Sequence, residues 1–138
     1  MKGVLVDTGP LVALVSAADQ YHEICLETSR EISGPLYSCW PVITEAAWLL
    51  RRKPGGVRHL LNILGSGAVE LLPLGRADVA GIAAILERYA DLGAPLADAA
   101  LVQLAGRDHI DTIFTFDRRD FSVYRIGGRA FRIVPDLR

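Results

Sequence analysis

The sequence predicts one α/β domain with a parallel sheet covered by helices on both faces. Short apolar runs typical of buried strands alternate along the chain with longer segments of helical periodicity. The length of 138 residues suits a single domain with its own core. No internal repeat, low-complexity tract or linker divides the sequence. We therefore expect residues 1–138 to form one domain.

The first half of the chain predicts two strands and three helices. An apolar run at 3–6 predicts a strand that stops at Asp7, and Pro10 suits the first turn of the helix that follows. The later predictions are a helix at 19–32 capped by Asp19, a strand at 36–40, and a helix opened by Pro41. Strand and helix thus alternate from the start.

The second half continues this alternation after a Pro-Gly-Gly break at 54–56. Its predicted elements, in order, are a helix at 57–64, a strand at 68–72, helices at 77–89 and 96–105, and strands at 112–116 and 131–134. The helix at 96–105 is apolar on nearly every side except for Asp98 and Gln103, so we expect it to be buried.

Charge is balanced overall but unevenly distributed. The formal net charge is −1, from 15 basic and 16 acidic residues, which excludes a protein that binds nucleic acid through bulk charge. Residues 118–138 nevertheless hold six arginines and two aspartates, and a second basic group comprises Arg51, Arg52, Lys53 and Arg58. Arginine suits bidentate contact with phosphate. Two local basic surfaces are therefore predicted on an otherwise acidic protein.

Cysteine usage and hydropathy indicate a cytoplasmic protein. Cys25 and Cys39 form no metal-binding or disulfide pattern and are expected to be small buried hydrophobes in a reducing compartment. The apolar N-terminal stretch resembles a signal peptide, but Asp7 and Pro10 interrupt it. No apolar run is long enough to cross a membrane. The high hydrophobic content, 51%, instead indicates a surface for a protein partner.

Four acids fall at or shortly after the predicted carboxyl ends of strands, where α/β sheets gather their ligands. They are Asp7, Glu45, Asp98 and Asp117. Each alone could be a helix cap or a turn residue. Asp98, however, is predicted within a buried helix with no Lys or Arg nearby in sequence, so its charge needs a partner.

Clustered carboxylates repel one another unless divalent cations neutralise them. Oxygen ligands select Mg²⁺ or Mn²⁺, whereas His22, His59 and His109 have no zinc-ligand spacing. One or two such ions can activate water for in-line attack on a phosphodiester. The pattern therefore predicts a metal-dependent nuclease.

Four segments in order carry a family resemblance. They are Val-Leu-Val-Asp-Thr at 4–8, Val-Ile-Thr-Glu-Ala-Ala at 42–47, Leu-Ala-Asp-Ala-Ala-Leu-Val-Gln-Leu-Ala at 96–105 and Thr-Phe-Asp-Arg-Arg-Asp-Phe at 115–121. Together they resemble the PIN domain in the compact form of VapC-type ribonuclease toxins. The resemblance implies a three-layer α/β/α sandwich with a parallel sheet of four to five strands, Mg²⁺- or Mn²⁺-dependent endoribonuclease activity, a cognate antitoxin and a homodimer.

The resemblance also assigns expected roles to individual residues. Asp7, Glu45, Asp98 and Asp117 take the positions of the acidic metal ligands, one of them doubling as a base toward water. The residues expected to support these ligands are Thr8, Thr115, Asp91 and Asp120. Gly9 departs from the family, which commonly has Ser or Asn there. The uneven charge distribution, rather than the resemblance, indicates the residues expected to flank the acids and bind RNA phosphates, which are Arg51, Arg52, Lys53, Arg118 and Arg119.

One alternative stays open: a catalytically inactive PIN-like module that binds RNA or protein. The presence of all four acids argues against it. Asp7-Thr8-Gly9 also resembles an aspartic protease signature, but the helical periodicity of 77–89 and 96–105 is incompatible with that almost all-β fold.

Overall fold

The computed structural model describes residues 3–136 and has a five-stranded parallel sheet at its centre. The strands of this range are β1 Val4–Val6, β2 Leu36–Ser38, β3 Glu70–Leu71, β4 Thr112–Phe114, β5 Arg125–Ile126, β6 Arg129–Ala130 and β7 Arg132–Val134. The sheet order is β3-β2-β1-β4-β7, and β5 and β6 form a separate antiparallel hairpin.

Helices connect the strands and flank the sheet. They are α1 Thr8–Val15, α2 His22–Glu31, α3 Trp40–Leu50, α4 Gly56–Gly65, α5 Val79–Arg88, α6 Leu96–Asp108 and α7 Arg118–Phe121. Two single 3₁₀ turns, Arg76–Asp78 and Ala90–Leu92, precede α5 and α6 respectively. The predicted α/β class with a parallel, helix-covered sheet is confirmed.

The strand order reverses between β1 and β4. The connection from β1 leads to β2 on one side, whereas the connection from β4 leads to β7 on the other. Leu5 pairs with Ile113 and Val6 with Phe114, and all four side chains are fully buried. The carboxyl ends of β1 and β4 therefore lie side by side at the point where ligands bind in open α/β sheets.

Helix α6 packs deep in the molecule, as its apolar composition predicts. Seven of the ten residues between 96 and 105 are both apolar and buried, and Leu101 and Leu104 have no exposed surface. His109 ends the helix in a left-handed conformation with φ of 56°. Asp98 is consequently held in a rigid, largely apolar setting.

Several predicted boundaries differ from the structure. The strand predicted at 36–40 ends at Ser38, because Cys39 is already the N-cap of α3 and Trp40 its first residue. The helix predicted at 19–32 covers only 22–31. Asp19 lies in the turn before it, where its carboxylate accepts the backbone N–H of Tyr21 at 2.8 Å. Asp19 therefore stabilises the turn and is not the helix N-cap.

The structure also contains two elements that the sequence analysis did not predict. Helix α7 follows Asp117 directly, and the β5–β6 hairpin turns through Gly127 and Gly128, whose φ angles are 55° and 82°. Both lie in an arginine-rich segment without apolar periodicity.

The cysteines are placed as predicted. Cys25 and Cys39 are free thiols with no exposed surface, and burial raises the pKa of the Cys39 thiol to about 11. Among residues 3–136, no helix is both long enough and apolar enough to cross a bilayer.

Candidate active site

Asp7 occupies the carboxyl end of β1, next to β4. Its backbone N–H donates to the carbonyl oxygen of Phe114 at 2.9 Å, which extends the pairing of the two strands by one residue. Only 8% of Asp7 is exposed. Its carboxylate is therefore fixed beside the segment that follows β4.

Thr115 connects two of the acids. Its buried hydroxyl donates to Oδ2 of Asp7 at 2.7 Å and accepts the backbone N–H of Asp117 at 3.0 Å. The backbone N–H of Thr115 in turn donates to the carbonyl oxygen of Val134 at 3.0 Å, at the end of β7. One hydroxyl thus sets the position of Asp7 relative to Asp117.

Glu45 reaches the same region from α3. Its Oε2 accepts the hydroxyl of Thr8, the first residue of α1, at 3.1 Å. Glu45 is half-buried and lies in the second turn of its helix. Helices α1 and α3 both begin at the carboxyl edge of the sheet, because each follows a strand directly, and this brings Thr8 and Glu45 together.

Asp98, the third residue of α6, is 5% exposed. The hydroxyl of Tyr124 donates to its Oδ2 at 2.7 Å. Tyr124 is fully buried and packs edge-on against Phe121 and Tyr89. Burial, and to a lesser degree the bond to Asp98, raises the pKa of Tyr124, so the phenol stays protonated and can donate to the carboxylate.

The sequence analysis did not identify Tyr124. The residue lies 26 positions from Asp98 in a segment without regular periodicity. An aromatic residue bearing a hydroxyl, a few positions after the last acid, is the signal that could have found it.

The four acids act on one another electrostatically. Burial raises the pKa of Asp98 to about 7, the Tyr124 hydroxyl opposes this rise, and the charges of Asp7, Asp117 and Glu45 add to it. The pKa of Asp7 is raised mainly by burial, with Glu45 and Asp117 contributing, while the bond from Thr115 opposes the change. Asp7, Glu45, Asp98 and Asp117 therefore share one electrostatic environment.

Asp120 adds a further carboxylate. Oxygen atoms of Asp98, Asp117 and Asp120 lie within 4.8 Å of one another. The backbone N–H of Asp120 donates to Oδ1 of Asp117 at 3.1 Å, which caps α7, and burial together with Asp117 raises the pKa of Asp120. This donor set consists entirely of carboxylate oxygens, which fit Mg²⁺ or Mn²⁺ and do not fit a zinc site of His and Cys.

Asp91 and Gly9 differ from the other predicted positions. Asp91 is exposed in the turn Ala90–Leu92. It is not among the residues whose charges shift the pKa of Asp98, which are Asp7, Asp117 and Glu45. A Cβ at Gly9 would lie 3.5 Å from the ring of Phe116, which itself stacks on Tyr21 with 4.3 Å between ring centroids. A side chain at position 9 would therefore be in van der Waals contact with this aromatic pair.

The two predicted basic surfaces lie at different distances from the acids. Arg118 and Arg119 follow Asp117 directly in α7. Arg118 donates to the carbonyl oxygen of Pro135 at 2.7 Å, and Arg119 is exposed.

The residues of 51–53 are exposed and follow the end of α3, so they lie about 9 Å or more beyond Glu45 along the helix axis. Because α3 starts at the carboxyl edge of the sheet and runs away from it, this group lies further from that edge than Glu45 does.

No protein-family model matches the chain. A curated relative, Ribonuclease VapC26 of Mycobacterium tuberculosis, is 36% identical over 135 residues, which cover 96% of this chain and 100% of the relative.

Among solved structures, the M. tuberculosis toxin VapC20, described as cleaving the sarcin-ricin loop, superposes with a TM-score of 0.73 at 20% identity over 83% of this chain and 90% of that one. A second, VapBC2 of Rickettsia felis bound to a DNA fragment from its promoter, has a TM-score of 0.68 at 14% identity over 98% and 100%. At these identities the solved structures support the fold.

Proposed function

This chain belongs to the VapC family of PIN-domain ribonucleases, and we propose that it hydrolyses RNA phosphodiesters with one or two Mg²⁺ or Mn²⁺ ions. The observation that carries the proposal is the shared environment of Asp7, Glu45, Asp98 and Asp117. Within residues 3–136, buried Asp98 has a tyrosine and no basic residue as its hydrogen-bond partner. Divalent cations are the counter-charge that such a site requires.

The four acids, with Asp120 beside them, would hold the metal. When bound, the metal supplies an activated water and stabilises the charge that develops on the leaving oxygen. The chain itself supplies orientation. Thr115 donates to Asp7, Thr8 donates to Glu45 and Tyr124 donates to Asp98, so a hydroxyl group orients each of these three carboxylates.

Substrate binding requires basic groups near this acidic centre. Arg119 is exposed two residues after Asp117, in a position to contact an RNA phosphate. The guanidinium of Arg118 donates one hydrogen bond to the carbonyl oxygen of Pro135. We propose that these two residues form the main phosphate contacts of the chain.

Family membership extends the proposal to biological context. We propose that the chain forms one domain over 1–138, acts in the cytoplasm as the toxin of a toxin–antitoxin pair, and forms a homodimer inhibited by a cognate antitoxin. The solved structure of VapBC2 from R. felis, to which this chain is similar in fold, supports this proposal. Large apolar side chains exposed on the surface, among them Val79 and Leu61, support a protein partner.

The test is cleavage of a structured RNA pool by the purified protein with Mn²⁺ or Mg²⁺. We expect cleavage by the wild-type protein, loss of cleavage in EDTA, and loss in Asp98→Asn. The matched control is Asp108→Asn, at the opposite end of the same helix, which should cleave normally. Cleavage that persists in EDTA or in Asp98→Asn contradicts the proposal, and RNA binding without cleavage supports the binding-module alternative.

A further inference from the structure

A groove of about 440 Å³ opens between the first turns of α3 and α6. Its lining residues are Trp40, Pro41, Thr44, Glu45, Leu96 and Ala97. Two of them connect it to the candidate active site, since Glu45 is one of the four acids and Ala97 directly precedes Asp98. The groove is therefore a continuation of the site.

The walls of this groove are aromatic and aliphatic, yet they face solvent. Trp40, the first residue of α3, is 59% exposed, and Leu96, the first residue of α6, is 58% exposed. The Thr44 hydroxyl donates to the backbone carbonyl of Trp40 at 2.9 Å, which holds the first turn of the helix. No hydrogen bond within residues 3–136 uses the indole N–H of Trp40. A rigid helix end thus presents a ring face and a free donor.

The charge of the groove restricts what can enter it. Of the lining residues only Glu45 is charged, so the groove repels a phosphate but accepts a planar, uncharged group. Single-stranded RNA offers such groups, because its unpaired bases stack on aromatic side chains and form hydrogen bonds along their edges. The volume lies within the range of sites that hold small ligands.

We propose that this groove binds one unpaired nucleobase of the RNA next to the cleaved phosphodiester, stacked on the indole of Trp40; this rests on the proposed ribonuclease function. The base is held between Trp40 and Leu96, while the adjacent phosphate lies at the metal site that the carboxylates would form. Only RNA with an extruded or single-stranded nucleotide at that position can enter, so Trp40 contributes to substrate choice as well as to affinity.

The chain offers a matched control for Trp40. Trp48 is the other of its two tryptophans, lies two turns further along α3, and is 63% exposed. The guanidinium of Arg51 lies 3.6 Å from the centre of its ring and covers one face. We expect Trp40→Ala to lower kcat/KM for single-stranded RNA about 10- to 100-fold, the loss produced by removing one base–aromatic stack, and Trp40→Phe to restore most of it. Trp48→Ala should cleave like the wild-type protein.

Binding is tested separately from cleavage. In Asp98→Asn combined with Trp48→Phe, Trp40 is the sole tryptophan, and its fluorescence should be quenched by short oligo-A, oligo-C or oligo-U but not by duplex RNA. Unchanged kcat/KM in Trp40→Ala, or absence of quenching, overturns the proposal. So does a change in sedimentation of Trp40→Ala, which would show that a second copy of the chain fills the groove. If the wild-type protein cleaves no RNA, the ribonuclease proposal fails, and the quenching assay still decides the groove.

Discussion

At the scale of single residues, Asp98 is a buried acid whose hydrogen-bond partner is the hydroxyl of Tyr124. Burial dominates the rise of its pKa to about 7, and three neighbouring carboxylates add to it. Below about pH 7 the metal-free protein therefore holds a proton where a metal ion would bind. This proton links the folding of the metal-free protein to pH.

The direction of that link can be predicted. The pKa of Asp98 in the folded protein, about 7, exceeds its ordinary value of 3.8. Between these values the folded state retains a proton that the unfolded chain has released, so the contribution of Asp98 to stability is full below about pH 4 and is lost as the pH rises to about 7. We expect the free energy of unfolding in EDTA to fall, through this residue, by about 1.4 kcal/mol per pH unit in that window.

Denaturant unfolding of the wild-type protein and of Asp98→Asn measures this effect. The free energy of unfolding of the wild-type protein should fall steadily relative to that of Asp98→Asn from pH 4 to 7, because the asparagine does not titrate. A difference that is constant across this range would contradict the assigned pKa shift.

Tyr124 acts on the same acid. Its hydroxyl bond to Asp98 lowers the pKa of that carboxyl, so Tyr124→Phe should raise the pKa further and make the proton a stronger competitor of the metal. We expect Mn²⁺ affinity near neutral pH, measured by titration calorimetry, to fall about 10-fold. Tyr37→Phe, a change to another buried tyrosine in β2, should leave the affinity unaltered. Equal affinities for all three proteins would show that the hydroxyl does not orient the ligand.

At the scale of elements, the carboxyl ends of three neighbouring strands meet at one residue, Thr115, which directly follows β4. Its hydroxyl donates to Asp7 after β1, and its backbone N–H donates to the carbonyl oxygen of Val134 in β7. The order of the strands therefore determines the geometry of the acids.

Loss of this connection should cost stability. Thr115→Val keeps the shape of the side chain but removes a buried hydroxyl with two hydrogen bonds, and we expect the free energy of unfolding to fall by about 1–3 kcal/mol. Thr112→Val, at the start of β4, removes only an exposed hydrogen bond to Asp111. This substitution should change the free energy of unfolding by less than about 0.5 kcal/mol. Chemical denaturation in EDTA compares them, and equal losses would contradict the proposed connection.

The elements also show which features a sequence pattern can predict. Strands β1 and β4 and helix α6 were predictable, because full burial requires continuous apolar runs. Helix α7 was not, since it depends on the capping of the Asp120 N–H by Asp117 and not on apolar spacing. Asp7 and Asp117 could be located because each follows the end of an apolar strand. The contact between Tyr124 and Asp98 arises only in the tertiary structure.

At the scale of the whole molecule, position matters more than the net charge of −1. Counting charges along the sequence treats residues 51–53 and 118–119 as equivalent. The fold separates them, because α3 leads away from the carboxyl edge of the sheet while α7 begins at it. The two basic groups are therefore predicted to differ in their contact with RNA.

Single arginine substitutions distinguish the two surfaces. Arg119→Ala should weaken binding of single-stranded RNA and reduce the magnitude of the slope of log K against log salt by about 0.7, the value for one phosphate contact. Arg52→Ala, also an exposed arginine, should leave the slope near that of the wild-type protein. Binding is measured over a salt series in the Asp98→Asn background, to prevent cleavage. A larger loss for Arg52→Ala would reverse this assignment.

The bond between Thr115 and Asp7 joins residues 108 positions apart, and β7 must pair with β4 to complete that edge of the sheet. During translation Asp7 leaves the ribosome well before residues 132–134, because more than a hundred residues separate them in the sequence. Because domains generally fold as units during synthesis, the carboxylates cannot reach their final arrangement on a nascent chain that still holds these residues in the exit tunnel. The sheet order therefore delays assembly of the nuclease site until residues 132–134 have left the exit tunnel and β7 can pair with β4.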